Sequence, residues 1–537
     1  MPGGFHMTPP SRAASMRESE MMQGWTITKP SVQGKGGVVS AQNRHAAEAG
    51  AAVLERGGNA VDAAVVTTLV LSVVEPWLSG IGGGGFMLRA DGRTGAVEGL
   101  DFGVEAPHAL DPADYPIVGE NDGDWFNWPA VRDNRNIEGG YSICTPGTIA
   151  GLSEALERHG TLSWAEALAP AIEWAERGLE LDWFACFAIA NEQASLWRCP
   201  VTAALFLPDG RVPQAGSPGN PRYAPMPAKA RLLRRLAEAG ARDFYEGEVA
   251  GQILADLEGS GCRLSPADLA QYRATWVESI GLSHAGWDIR AMPGLSGGPS
   301  FLDALSRFKA LRPKAGTAPD AHDAAAFARA IREAYRHRLG ALGHAGDPDA
   351  DCTTHVSVVD ASGTMVSLTN TLLSRFGARV MGERTGFLFN NGVMWFDPRP
   401  GQPNSIAPGV KPLANMCPLI LMRDGRPGLA IGAAGGRQIF PALLQLVSFI
   451  TDYGMSLEEA FHHPRIDASS PTILVDGRDG PDVAATIARD WPVQIVENTL
   501  YPVSFAIPSA VMRQGDGFIG QAHPYQPWAA AIAVEGT

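Results

Sequence analysis

The apolar pattern of this chain changes character at residue 353. Before that point, apolar residues recur at helical spacing from roughly His45 to Arg56, from Ala60 to Val74, in the runs WAEALAPAIEWAERG and AKARLLRRLAEAG, and from about Asp320 to Arg338. From Thr353 onward the runs TTHVSVVD, TMVSLTNT, GFLFNN and GLAIG are short, rich in strand formers and separated by turn residues. A helix pair, near Pro441 to Tyr453 and Leu457 to His462, interrupts them. A helix-rich part joined to a strand-rich part, with no internal repeat, predicts an α+β fold in which helices sandwich sheets around one continuous core. Residues 1–36 are polar and aperiodic and are expected to form a flexible tail ahead of a first strand, Gly37 to Ala41. Trp164, Trp174, Trp183 and Trp197 are expected in the core.

Charge and cysteine usage narrow the functional classes. The chain carries 43 basic and 57 acidic residues, a net charge of -14, with no long basic run, which disfavours a nucleic-acid partner and favours a small-molecule substrate. Its six cysteines are scattered, without a CxxC pair or a histidine at ligand spacing, so reduced thiols, no metal and no cofactor are expected. The N-terminal segment lacks the continuous apolar stretch of a secretory signal, and the apolar run from Ala60 to Val74 is too short to span a bilayer. A cytoplasmic protein with no membrane role is expected.

Two features bear on chemistry. Four consecutive glycines, Gly82 to Gly85, enter a strand, where they permit an approach of backbone that side chains would forbid; they lack the lysine and spacing of a phosphate loop. In the run from Thr353 to Val359, alternation places Thr353, His355 and Ser357 on one face and Thr354, Val356 and Val358 on the other. On propensity alone this is an ordinary half-buried strand.

Several motifs occur in order along the chain: EAGAAVLERGGNAVDAAV (48–65), EPWLSGIGGGGFML (75–88), LDF followed by EAP (100–107), CTPGTIAG (144–151), TTHVSVVD (353–360), LTNT (368–371), NN (390–391), PNSIAPG (403–409), KPL (411–413) and GAAGG (432–436). In this order they resemble the gamma-glutamyltransferase family from about Gly37 to Asp467. The resemblance implies an N-terminal nucleophile hydrolase: four layers, αββα, made as one precursor and cut between Cys352 and Thr353 into a large (37–352) and a small (353–537) subunit that remain a heterodimer. Cleavage would give Thr353 both a hydroxyl nucleophile and an α-amine, near pKa ~7.7–8.0, that can take the hydroxyl proton. Thr371 matches the threonine that supports the nucleophile. Gly435 and Gly436 match the pair whose backbone N–H groups form an oxyanion hole. His355 is expected to be structural or orienting, since the amine already supplies the base.

The resemblance breaks where the family grips glutamate. Its arginine after LDF is Gly103; its serine pair is Ala414 and Asn415; the glutamine and aspartate after Asn390 and Asn391 are Gly392 and Trp395; and the asparagine two residues after Thr371 is Leu373. An α-carboxylate would lose a guanidinium and an ammonium would meet an indole. Asn391, Gly103, Leu373, Trp395, Ala414 and Asn415 therefore read as a substrate pocket similar to that of the cephalosporin acylase branch, suited to a glutaryl or related acyl amide, with Arg375 or Arg379 as a candidate carboxylate anchor. The segment from Trp395 to Ile406 is shorter than in family members that close a lid, which favours water as the acceptor. The competing readings are a true gamma-glutamyltransferase or glutathione hydrolase, an oxamate-type amidohydrolase, and an unprocessed homologue without activity.

Overall fold

The structure is a computed structural model that describes residues 27–119, 128–312, 316–344, 354–501 and 503–536. Two antiparallel seven-stranded sheets lie face to face. The first runs Ala530–Val534, Gly37–Ala41, Thr354–Asp360, Met365–Thr371, Gly84–Ala90, Val97–Phe102, Thr275–Glu278. The second runs Val32–Gly34, Gly517–Ala522, Ile507–Gln514, Arg426–Ala434, Leu419–Arg423, Trp287–Ala291, Ile280–His284. Helices Arg44–Glu55, Ala60–Val74 and Thr148–His159 cover the outer face of the first sheet, and Gly298–Leu311, Ala321–Ala341 and Ile439–Thr451 cover the second. This is the four-layer αββα arrangement, and strands from both sides of residue 353 interleave within each sheet.

The alternation read from the sequence sets which side chains enter which layer. Val356 and Val358 belong to the core beneath the first helical layer, and Val359 to the core between the sheets. Helix Ala60–Val74 is buried on nearly every side and begins at a capping box formed by Asn59 and Asp62. Its first N–H, from Ala60, donates to Asp360 Oδ2 at 3.0 Å, which ties the helix start to the far end of strand Thr354–Asp360. The helix therefore finishes, at Glu75, beside the Thr354 end of that strand.

Two expectations are corrected. Strand Val32–Gly34 pairs with Phe518–Gly520 and lies inside the stretch expected to be a tail, because an edge strand of three residues carries too little periodicity to stand out; residues 1–26 of that stretch lie outside the described residues. Trp183 and Trp197 are 47% and 48% exposed rather than core. Trp183 is the first residue of its helix and Trp197 caps the end of the next, while their neighbours Phe184 and Leu196 take the buried positions.

Lys229, on helix Pro227–Ala239, is fully buried, donates from Nζ to the carbonyl of Ser72, and has its pKa pushed down to about 7 by burial. The unfolded chain therefore holds a proton that the folded chain has shed between about pH 7 and the ordinary lysine range, and stability rises with pH across that window. Lys229→Met should remove this slope and raise the unfolding midpoint at pH 6, read by thermal denaturation across pH.

Candidate active site

The Thr354 end of the first sheet is built by close approach of backbone. Thr354 pairs with Asn370, Thr371 with Gly84, and Gly85 with Phe102, so the strand ends form a continuous row. A Cβ at Gly83 would lie 1.8 Å from the Thr371 carbonyl oxygen, and one at Gly85 would lie 2.0 Å from that of Thr369. The glycine run thus exists to let the chain pass against the strand that carries Thr371. Thr354 Oγ1 donates to the Asn370 carbonyl at 3.2 Å and Thr148 Oγ1 to Asn370 Oδ1 at 2.8 Å, which fixes this edge from both sides. Cys352 and Thr353 lie outside the described residues.

Thr371 is fully buried, and its Oγ1 accepts the N–H of Leu373 at 2.8 Å. That bond holds Leu373 at φ +84°, a conformation rare for a branched side chain, and Phe376 (+62°) and Arg379 (+59°) repeat the feature along the same loop. Asn391 stitches the loop in place: its Oδ1 accepts from Ser374 N at 3.0 Å, while Nδ2 donates to Ile137 O at 2.9 Å and Ser374 Oγ at 2.8 Å. Asn390 spends its amide entirely on Cys144, Gly82 and Gly392 backbone.

Leu373, Trp395 and Ala414 fall in one apolar cluster with Val104 and Val393, all buried. Gly103 adjoins this cluster at the end of strand Val97–Phe102, its N–H donating to Asp101 Oδ1 at 2.8 Å. Asp101 in turn is paired with Lys411 Nζ at 2.9 Å. Asn415 Oδ1 accepts from Arg338 Nη2 at 3.2 Å, and the same nitrogen holds the Ala414 carbonyl at 3.2 Å. A guanidinium only donates, so the amide must turn its oxygen to Arg338 and its NH2 group away. Of the arginines considered as carboxylate anchors, Arg379 is engaged by Glu192 at 3.2 Å, and Arg375 acts on the buried Glu75 carboxyl.

Gly435 and Gly436 sit where strand Arg426–Ala434 ends, at a short turn leading into helix Ile439–Thr451. Gly435 has φ +127°, and a Cβ there would meet Ala506 Cα at 2.8 Å. Only glycine fits, and the turn lies at the positive end of the helix dipole.

His355 lies between the sheets, fully buried, its Nδ1 bonded to Thr369 Oγ1 at 2.9 Å and its Nε2 to Ser357 Oγ at 3.0 Å. Burial pushes its pKa down to about 3, which leaves a neutral ring and a poor base. The ring packs flat on Gly432, where a Cβ would fall 2.3 Å from His355 Cε1. Gly432→Ala should therefore cost about 1–3 kcal/mol, as overpacking does, and chemical denaturation should show a lower midpoint with an unchanged slope.

Arg338 was not singled out in the sequence. It extends the buried side of its helix at the spacing Ile331, Ala334, Tyr335, Arg338, and an arginine on an otherwise apolar stripe was the available signal.

The gamma-glutamyltranspeptidase family model matches residues 46–352 and 343–533. The chain belongs to this family. The acylase ACY 1 proenzyme of Pseudomonas sp. (strain V22) is 33% identical, with 87% of this chain and 89% of that protein covered. The glutathione hydrolase proenzyme of Bacillus subtilis (strain 168) is 30% identical, with 81% of each covered. Among solved structures, the cephalosporin acylase from Bacillus halodurans superposes with a TM-score of 0.84 over 97% of this chain and all of that one, at 23% identity. This gamma-glutamyltranspeptidase family member thus shares its fold with an acylase along nearly its whole described length.

Proposed function

We propose that this protein is an autoprocessing N-terminal threonine amidohydrolase that cleaves a glutaryl or related acyl amide. The single observation that carries the reading is the row of strand ends at Thr354, Thr371 and Gly84, built by the close approach of Gly83 and Gly85 to carbonyls of the Thr371 strand. Thr353 directly precedes Thr354 in the chain, and the strand that Thr354 opens pairs with the strand that carries Thr371. The relatives with proenzyme names support a precursor that is cut to become active.

In this reading the bond between Cys352 and Thr353 is broken first, freeing the α-amine. The Thr353 hydroxyl attacks the substrate carbonyl while its proton passes to that amine. The resulting oxyanion takes the N–H groups of Gly435 and Gly436, a role in which fixed backbone donors need no reorganisation. Collapse expels the amine product, which leaves with the proton. Water then attacks the acyl-threonine ester and releases a carboxylic acid. Small-molecule amide and water are the only partners required beyond the heterodimer of the two fragments.

The pocket supports an acyl group without an α-ammonium, because Leu373, Trp395 and Ala414 stand together in one apolar cluster. N-terminal sequencing of the smaller fragment of active material tests the reading: it should begin Thr-Thr-His-Val, and an active preparation with an intact chain would refute it.

A further inference from the structure

Away from the row of strand ends, strand Gly517–Ala522 leads into a second buried polar cluster. Arg465 is 2% exposed and His523 is 1% exposed. Arg465 Nη2 donates to the Ala506 carbonyl at 3.2 Å, while among the described residues its Nη1 and both ring nitrogens of His523 have no hydrogen-bond partner. Lys29 brackets His523 along the chain: its carbonyl accepts from Gln521 Nε2 at 2.8 Å, and its Nζ donates to the carbonyls of Gln526 at 2.8 Å and Ala529 at 2.6 Å.

Cations dominate the electrostatics at the imidazole, where Arg465, Lys29 and Arg478 oppose its protonation. Asp476 is the carboxylate that acts on Arg465, and it is taken by Arg478, through Nε at 3.0 Å to Oδ1 and Nη2 at 2.6 Å to Oδ2. His462 is engaged at both ring nitrogens, its Nε2 lying 3.1 Å from Lys29 N and its Nδ1 2.8 Å from the Glu458 carbonyl. Arg465 thus remains charged and fully buried, with no carboxylate in contact among the described residues, which is costly unless a counter-charge is supplied.

We propose that Arg465 and His523 hold a small inorganic anion of halide size, bound by Arg465 Nη1 and the N–H of the neutral His523 ring. The pair of buried donors, the surplus positive charge and the commitment of Asp476 to Arg478 all lead to the same ligand class. The site adjoins Ala506, whose Cα would touch a side chain at Gly435, so its occupant braces the segment that packs against the glycine pair. The inference stands on these contacts and does not depend on the proposed reaction.

Bromide tests it, as a halide with a strong anomalous signal. Crystals of the full-length protein soaked in sodium bromide should show an anomalous peak within hydrogen-bond distance of both Arg465 Nη1 and a ring nitrogen of His523. In solution, exchanging a bulky anion, gluconate, for 0.1 M bromide at equal ionic strength should raise the unfolding midpoint by about 2 °C. His523→Asp supplies the negative charge covalently, so this variant should lose both the peak and the bromide response. Should it fail to fold, His523→Leu, which removes the ring donor, must lose the response instead. A wild-type site that holds only water, a peak without any midpoint change (binding at crystal concentration only), or a variant that responds as the wild type does would each overturn the proposal.

Discussion

Thr353→Ala should leave the chain as a single unbroken polypeptide and reduce amide hydrolysis by about 10⁴-fold or more, the scale seen when an enzyme loses its nucleophile. Both effects have one cause in the proposed mechanism. Without the hydroxyl nothing attacks the preceding carbonyl, so the chain stays joined and the amine that would act as base stays in a peptide bond. Thr353→Ser keeps a hydroxyl and should still be cut, though more slowly, because it lacks the methyl group that restricts the side-chain rotamers. Denaturing electrophoresis over a long incubation reads the processing, and a p-nitroanilide assay reads the activity. An alanine variant that is still cleaved at this bond, or that hydrolyses substrate at the wild-type rate, would show that some other group is the nucleophile.

Much of this arrangement was legible in the residues. From Thr354 onward the alternation separates layers in the structure as it does in the sequence: His355 and Ser357 enter the polar seam between the sheets, and Val356 and Val358 go to the helical side. The run Gly82 to Gly85 announced a close backbone approach, and two of those glycines lie against carbonyls of the neighbouring strand. What could not be read depends on distant parts of the chain meeting. Leu373 has φ +84° because Thr371 Oγ1 and the Asn391 amide hold its loop, and leucine is among the last residues local propensity would place there. The partners of Arg338 lie 38 to 77 residues away in sequence, and those of Arg465 are set by a turn 41 residues on. The tryptophans Trp183 and Trp197 failed as core markers because they stand at helix ends, where their neighbours Phe184 and Leu196 take the buried positions.

Offered the same leaving group, the enzyme should prefer a glutaryl over a gamma-glutamyl p-nitroanilide by about 10²–10³-fold in kcat/KM. The two acyl chains have the same length and differ only in the α-ammonium. Binding that ammonium in the apolar cluster of Leu373, Trp395 and Ala414 would strip its water, and the carboxylate beside Gly103, Asp101, is already paired with Lys411 Nζ at 2.9 Å. Leaving a buried charge without its partner costs roughly 3–5 kcal/mol, and each ~1.4 kcal/mol is a factor of ten; partial access of water reduces the upper end. The buried donors nearby sharpen the argument. Trp395 Nε1 and Asn415 Nδ2 have no hydrogen-bond partner among the described residues, and the orientation of the Asn415 amide is fixed by Arg338. N–H groups can satisfy a carboxylate or carbonyl oxygen but offer an ammonium nothing. Trp395→Phe keeps the apolar surface and removes one donor, so it should lower kcat/KM for the glutaryl substrate while leaving a butyryl anilide, which has no terminal oxygen, nearly unchanged. A wild-type enzyme that favours the gamma-glutamyl substrate would mean that the ammonium is met by a group outside this cluster and that the pocket has been assigned the wrong acyl chain.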